Sequence, residues 1–199
     1  MQATKSLPEN YHQYKRLDLS TNKTVMLWLN IAGAGLFFLF GYLFLRLAVF
    51  LNPAGFSGNI FPGTLAVIIE ILVAYVVVIT LHEIVHGMFF WLITHERPKF
   101  GFKVIYAFAA APDWYVPRNP YLVIGLAPLV LISLAGILAI PFVPASYMIV
   151  LLFALTINAS GAVGDILTIG WVLTQSKEVL VRDEGDAFTI YKPLPADLQ

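Results

Sequence analysis

The segment that decides the fold runs from residue 63 to residue 94 and reads GTLAVIIEILVAYVVVITLHEIVHGMFFWLIT. Its length and apolar character predict a transmembrane helix, because about 20 apolar residues suffice to cross a hydrocarbon core of about 30 Å. Within it, residues 82–86 read His-Glu-Ile-Val-His. Ionisable side chains inside a membrane helix are costly and usually mark a functional site. The segment therefore predicts both a membrane fold and the place where its chemistry lies.

The two histidines are four residues apart, so a helix places His82 and His86 on the same face. Two imidazoles in this arrangement can bind one zinc ion, and Glu83 beside them can act as general base on a zinc-bound water. One alternative is a histidine pair that serves only as a polar contact between helices. Another is a zinc site without catalysis. We favour the catalytic site, because the motif retains the glutamate that catalysis requires.

The composition of the whole chain indicates an integral membrane protein. Of its 199 residues, 59% are hydrophobic and 12% are charged, whereas about 25% are charged in a typical soluble domain. The formal net charge is zero, so the sequence offers no basic surface for nucleic acid. Without cysteine, disulfides and thiolate metal ligands are excluded. The polar segment 1–24 lacks an apolar core, so we expect no cleavable signal peptide.

Three further apolar segments predict transmembrane helices, at residues 25–50, 121–143 and 147–174. The predicted fold class is therefore an integral membrane protein, mainly α-helical, with about four transmembrane helices and a small cytoplasmic β element. The β-prone run 104–108 and a hairpin within residues 179–191 would supply that element. The expected organisation is a tail at 1–24, a membrane domain at 25–174, and a second tail at 175–199 that contains the β-hairpin.

Lysine and arginine are concentrated in the segments that would lie on one side of the membrane. Both tails and the loop at 95–120 carry them, whereas segments 52–62 and 144–146 carry none. Positively charged loops favour the cytoplasmic side of a membrane. We therefore expect a multi-pass protein of the cell (plasma) membrane with cytoplasmic N- and C-termini.

A catalytic zinc site needs three protein ligands and an open position. At about 1.5 Å per residue, His86 and His82 lie roughly 16 and 22 Å from the charged anchor Arg97, and Asp165 lies roughly 18 Å from the anchor that ends its own span. The small residues before Asp165 allow helices to approach closely. We predict Asp165 as the third ligand, with Asp113 in the loop as the alternative.

Two further features of the sequence could have either a functional or a structural role. Asn158 precedes Asp165 by seven residues, so the two share a helix face, and its amide can act catalytically by hydrogen-bonding a substrate carbonyl or a developing oxyanion. A structural hydrogen bond is the alternative. The apolar strand of loop 99–116 either completes the fold at the membrane surface or aligns an extended substrate by β-addition.

Beyond the motif, the sequence resembles an uncharacterised prokaryotic family of membrane zincin peptidases, which is distantly similar to the site-2 proteases. The resemblance covers most of residues 65–191, and its matching stretches are His82–Gly87, Lys99–Phe102, Ala111–Tyr115, Pro117–Asn119, Gly125–Pro128, Asn158–Asp165 and Asp183–Asp186. It implies one zinc ion per chain, with His82 and His86 as ligands and Glu83 as catalytic base. Compared with the site-2 proteases, Gly161 replaces a proline, and Asp165 comes one residue early.

The sequence therefore predicts a zinc-dependent intramembrane metallopeptidase that hydrolyses peptide bonds of membrane-anchored substrates near the cytoplasmic face. Its expected partners are the lipid bilayer and a membrane-anchored protein or peptide, and the sequence does not determine the oligomeric state. The alternatives are a non-catalytic zinc-binding scaffold or regulator and, less favoured, a small transporter. A transporter needs a polar route to the outer face, and the apolar stretches Ile71–Ala74 and Val76–Val78 close it on this helix.

Overall fold

The computed structural model describes residues 1–18, 23–56, 64–103, 106–185 and 187–195. The chain divides into two compact units. The first comprises residues 1–28, 83–127 and 165–199, and the second comprises residues 29–82 and 128–164. The predicted boundaries between tails and membrane domain, at residues 24 and 174, remain a prediction.

Among the described residues, four helical segments are long and apolar enough to cross a membrane, as the sequence predicts. Their helices are α1, Lys23–Leu51; α2, Thr64–Thr94; α3, Arg118–Ala139; α4, Ala145–Gly161; and α5, Val163–Leu173. Many of their large apolar side chains are exposed, and Phe38 at 76% and Phe50 at 80% are examples. Exposed apolar side chains on long helices are the pattern expected for surfaces that contact lipid.

Two of the four segments depart from a regular helix. Pro128 lies inside α3, and Pro141 lies in a short 3-10 turn, Ile140–Phe142, at the end of the same span. The fourth span was predicted as one helix over 147–174, but it breaks at Ala162 into α4 and α5. The Ala162 N–H donates to the carbonyls of Asn158 and Ser160 there. The break follows Gly161, a residue with poor helix propensity.

The unit of residues 29–82 and 128–164 has its own apolar core, made by Phe44, Ala48, Ile140, Met148, Leu155 and Ala159. Helices approach closely where a glycine faces a large side chain. A Cβ on Gly136 of α3 would overlap the side chain of Leu155 on α4. Small residues at helix contacts let backbones approach, and this close van der Waals packing holds helices together in a membrane.

The other unit contains two antiparallel sheets. Strands β1 (Tyr11–Asp18), β4 (Val116–Pro117), β5 (Leu180–Asp183) and β6 (Ala187–Pro193) form one sheet in the order β1-β6-β5-β4. Strands β2 (Lys99–Lys103) and β3 (Tyr106–Ala110) form a separate two-stranded sheet. The predicted hairpin is therefore present as β5 and β6. Residues 104 and 105 of the predicted run and Asp186 of the predicted turn lie outside the described residues.

The larger sheet packs on the ends of the helices that belong to its unit. Its buried side chains Val181, Phe188 and Ile190 form one cluster with Phe90 of α2 and Ile169 of α5. Each of these side chains is almost completely buried, so the sheet and the helices of its unit share one apolar core. The N-terminal tail, predicted only as a polar segment, contributes β1 to this sheet.

The turn between β5 and β6 requires glycine at position 185. Gly185 has a φ of +95°, and a Cβ there would overlap the ring of Phe108 on β3. The Gly185 N–H donates to Oδ1 of Asp183 at 2.8 Å, and the Glu184 N–H donates to the carbonyl of Ala187 at 2.9 Å. A side chain at position 185 would therefore strain the backbone and overlap the ring of Phe108.

We expect Gly185→Ala to lower the free energy of unfolding by about 1–3 kcal/mol, the usual cost of a residue held in a sparsely populated backbone region. Thermal unfolding of the purified protein in detergent measures the change. Gly170→Ala is the matched control, because Gly170 lies within α5 and a Cβ there meets nothing within 4 Å. The control should be neutral or slightly stabilising. Equal stabilities of the two variants would contradict the assignment of Gly185.

Candidate metal centre

His82 and His86 lie one turn apart on α2, and the Nδ1 atom of each ring contacts an oxygen. Nδ1 of His82 is 3.0 Å from Oδ1 of Asn158, and Nδ1 of His86 is 3.0 Å from the carbonyl of Ile124. Amide and peptide oxygens can only accept, so each Nδ1 donates the hydrogen bond. Each Nε2 then carries the lone pair that can bind a metal.

The orientation of the Asn158 amide follows from its other contacts. Nδ2 of Asn158 is 3.4 Å from the carbonyl of Pro128 and 3.4 Å from Oγ of Ser133. An amino group fits beside a carbonyl, which leaves Oδ1 to face His82. Asn158 is buried at 2% exposure. Its described contacts make it an orienting partner of His82, and a direct role in catalysis remains a prediction.

Asp165 lies in the first turn of α5, immediately after the break at Ala162. A carboxylate is favoured there, because the N-terminus of a helix carries a partial positive charge. Oδ1 of Asp165 is 3.4 Å from Nε2 of His86. The first turn of α5 therefore places a carboxylate beside the second histidine of the motif.

The three predicted ligands come together. One ligand atom each from His82, His86 and Asp165 lies within 4.8 Å of the other two. Two imidazole nitrogens and one carboxylate oxygen form a donor set that zinc accepts. Ligand atoms about 2.1 Å from a tetrahedral ion lie roughly 3.4 Å apart, which is the separation between His86 and Asp165. The residues therefore fit a zinc ion with three protein ligands.

Glu83 is half-buried on the same turn of α2 as the two histidines. It directly follows His82 on this helix. It does not belong to the group of three candidate ligands. Its role as catalytic base stays a prediction.

Asp113, the alternative third ligand, lies outside the group formed by His82, His86 and Asp165. Its Oδ2 is 2.8 Å from Nζ of Lys99, and both side chains are exposed. The Lys99 ammonium lowers the pKa of the Asp113 carboxyl, because it stabilises the charged form. Among the described residues, the group that could hold a metal contains Asp165 and not Asp113.

A hydrogen-bonded pair, the buried Tyr121 and the half-buried Asp183, lies in the same unit as His86 and was not predicted from the sequence. The hydroxyl of Tyr121 on α3 donates to Oδ2 of Asp183 on β5 at 2.7 Å. Burial raises the pKa of Asp183, and the charges of His86 and Asp165 also act on it. The sequence shows Asp183 only as part of a turn, and no spacing rule connects it to Tyr121.

The two-stranded sheet of β2 and β3 contacts α2 at Gly87, next to the histidine motif. Gly87 follows His86 directly, and a Cβ on Gly87 would overlap the ring of Phe100 on β2. Phe100 and Phe102 on the same strand are exposed at 53% and 78%. The two-stranded sheet therefore places an exposed apolar strand against the turn of α2 that carries the histidines.

Comparison with known proteins agrees with this geometry. A family model described as "Putative zincin peptidase" matches residues 75–180, and the matched range contains Glu83 and all three candidate ligands. No curated protein and no solved structure matches the chain. Because the matched range covers more than half of the chain, the protein belongs to the family of putative zincin peptidases.

Proposed function

We propose that the protein is a zinc-dependent intramembrane metallopeptidase that cuts membrane-anchored proteins or peptides near the cytoplasmic face. The observation that carries this proposal is the group of His82, His86 and Asp165 on helices long and apolar enough to span a membrane. Membership of a zincin peptidase family supports peptide-bond hydrolysis as the reaction.

Each residue of the centre has a defined task in this proposal. His82 and His86 would hold the zinc through Nε2, and Asp165 through its carboxylate. Zinc in such a site lowers the pKa of a bound water and polarises a carbonyl group. Glu83 accepts the proton of the attacking water and later donates a proton to the leaving amine. Asn158 and the Ile124 carbonyl keep the two imidazole rings oriented.

A substrate segment must be extended before its carbonyl can be attacked, because a helix shields its backbone. The exposed strand β2 beside Gly87 offers a means of holding such a segment. Strand addition would supply backbone hydrogen bonds, and the Phe100 and Phe102 side chains would contact the apolar side chains of the substrate. The exposed position of β2 thus favours a role in substrate alignment over a purely structural role for this strand.

The distribution of positive charge indicates the side of the membrane on which the substrate would be cut. The one-sided distribution of lysine and arginine favours cytoplasmic termini and a cytoplasmic loop between α2 and α3. The histidines lie toward the cytoplasmic end of α2 in that orientation. Cleavage would therefore release the cytoplasmic part of a membrane-anchored substrate.

The wild-type protein should retain about one zinc ion per chain after purification with zinc supplied. His82→Ala, His86→Ala and Asp165→Ala should each lower zinc affinity by more than about 100-fold, because one of three ligands is lost. Metal analysis after gel filtration measures the content. Glu83→Gln and Asp113→Ala should retain zinc as controls. Wild-type protein that stays metal-free under these conditions would rule out the zinc site.

Glu83→Gln should abolish turnover while zinc is retained, because an amide cannot accept the proton. Sequencing of new N-termini in membranes from cells that express wild-type or variant protein measures cleavage. We expect cut sites near the cytoplasmic ends of membrane segments with the wild type only. Equal cut sites with Glu83→Gln would refute the mechanism. Zinc-loaded wild type that produces no cut sites would favour the non-catalytic scaffold.

Single cysteines test the orientation on a background without native cysteine. Ser57→Cys and Ala145→Cys should react with a membrane-impermeant maleimide in intact cells, because both positions lie in the uncharged connections. Asn10→Cys and Lys177→Cys should react only after the cells are permeabilised. Labelling of the latter two in intact cells would reverse the proposed orientation.

A further inference from the structure

The carbonyl of Ile124 has an unusual position in α3. In a regular helix this carbonyl accepts a hydrogen bond from the N–H four residues later. That residue is Pro128, which has no N–H to donate. The carbonyl accepts from Nδ1 of His86 instead, at 3.0 Å. Ile124 is almost fully buried, so its carbonyl requires a partner within the protein.

This contact determines how His86 can bind a metal. A proton fixed on Nδ1 leaves the lone pair on Nε2. Nε2 of His86 is the atom that lies 3.4 Å from Oδ1 of Asp165. An ordinary residue at position 128 would supply an N–H that competes for the Ile124 carbonyl. The imidazole would then lose part of the bond that fixes its ring.

The other histidine depends on the same turn of α3 by a separate route. The carbonyl of Pro128 lies 3.4 Å from Nδ2 of Asn158, which orients the Asn158 amide. Oδ1 of that amide accepts the hydrogen bond from Nδ1 of His82. Two successive contacts therefore lead from Pro128 to the first histidine of the motif.

We propose that Pro128 is a positioning residue for the metal centre. By withholding an N–H, it reserves the Ile124 carbonyl for His86 and holds the ring with Nε2 toward the metal. The inference rests on the proposed zinc site and adds to it a residue that touches neither metal nor substrate. Partners that orient a liganding histidine typically change metal affinity by about 10–100-fold when they are removed.

Two substitutions separate the missing N–H from the shape of the proline ring. Pro128→Ala restores the N–H. Replacement of Pro128 by lactic acid, through cell-free translation with an acylated suppressor tRNA, gives the same methyl side chain with an ester oxygen in place of the N–H. We expect Pro128→Ala to weaken zinc binding by about 10–100-fold, and the ester to bind zinc nearly as the wild type does. Competition with a zinc chelator measures the affinities of the purified full-length proteins.

Pro141→Ala is the matched control, because Pro141 lies in the 3-10 turn that ends the same span. It should leave zinc affinity unchanged. In the wild type, ¹⁵N shifts of the imidazoles in the zinc-loaded state should show a protonated Nδ1 on His86, which requires no variant to fold.

The outcomes distinguish the inference from the proposed function. Wild-type affinity in Pro128→Ala, equal losses in the alanine and ester variants, or a metal-bound Nδ1 would each overturn the role of Pro128 and leave the zinc site intact. A wild-type protein that binds no zinc would overturn the proposed function, and the role of Pro128 with it.

Discussion

Helices long and apolar enough to span a membrane place one constraint on the rest of the structure: a hydrocarbon core offers no water, so a polar group on such a helix is costly unless it has a partner in the protein. The metal centre meets this constraint contact by contact. His82 donates to Asn158, and Asn158 in turn lies against the carbonyl of Pro128 and the hydroxyl of Ser133. His86 donates to Ile124. Polar contacts of this kind are directional, so they also fix the rings that would bind the metal.

The larger sheet and its neighbours fix the ends of the helices in the unit that contains His86. Arg118, at the start of α3, donates from Nε to the carbonyl of Val172 at 3.2 Å and from Nη2 to the carbonyl of Leu173 at 2.8 Å. Both carbonyls belong to the last turn of α5, and the Val172 carbonyl also accepts from the Gln175 N–H at 3.1 Å. A cation at a helix C-terminus also interacts favourably with the helix dipole. The arginine therefore ties the beginning of α3 to the end of the helix that carries Asp165.

The sequence predicts the helices, and the cluster of residues that could hold a metal, where a single local pattern carries the information. The second span was predicted over 63–94 and is a helix over Thr64–Thr94, because its apolar run has a clear length and clear ends. Asp165 was selected as the candidate third ligand from its distance to the charged end of its span, because the rise per residue of a helix is fixed. Strand β1 was missed because its side chains are mostly polar and exposed, so it lacks the alternation that marks a strand. The Tyr121–Asp183 pair was missed because its two residues are far apart in sequence.

Asn158 was selected because seven residues separate it from Asp165, and its catalytic role stays a prediction. Seven residues place two side chains on one face only if the helix is continuous, and Ala162 separates α4 from α5 between them. Asn158 contacts His82, and Asp165 contacts His86. Pro128 in α3 releases the Ile124 carbonyl from a regular helix bond, whereas at the break the Ala162 N–H still donates to the carbonyl of Asn158 at 3.2 Å. In a membrane such groups are costly unless they are used. Here the released Ile124 carbonyl accepts from His86, and Asp165 lies in the first turn of α5, so two of the candidate ligands lie beside the two irregular turns.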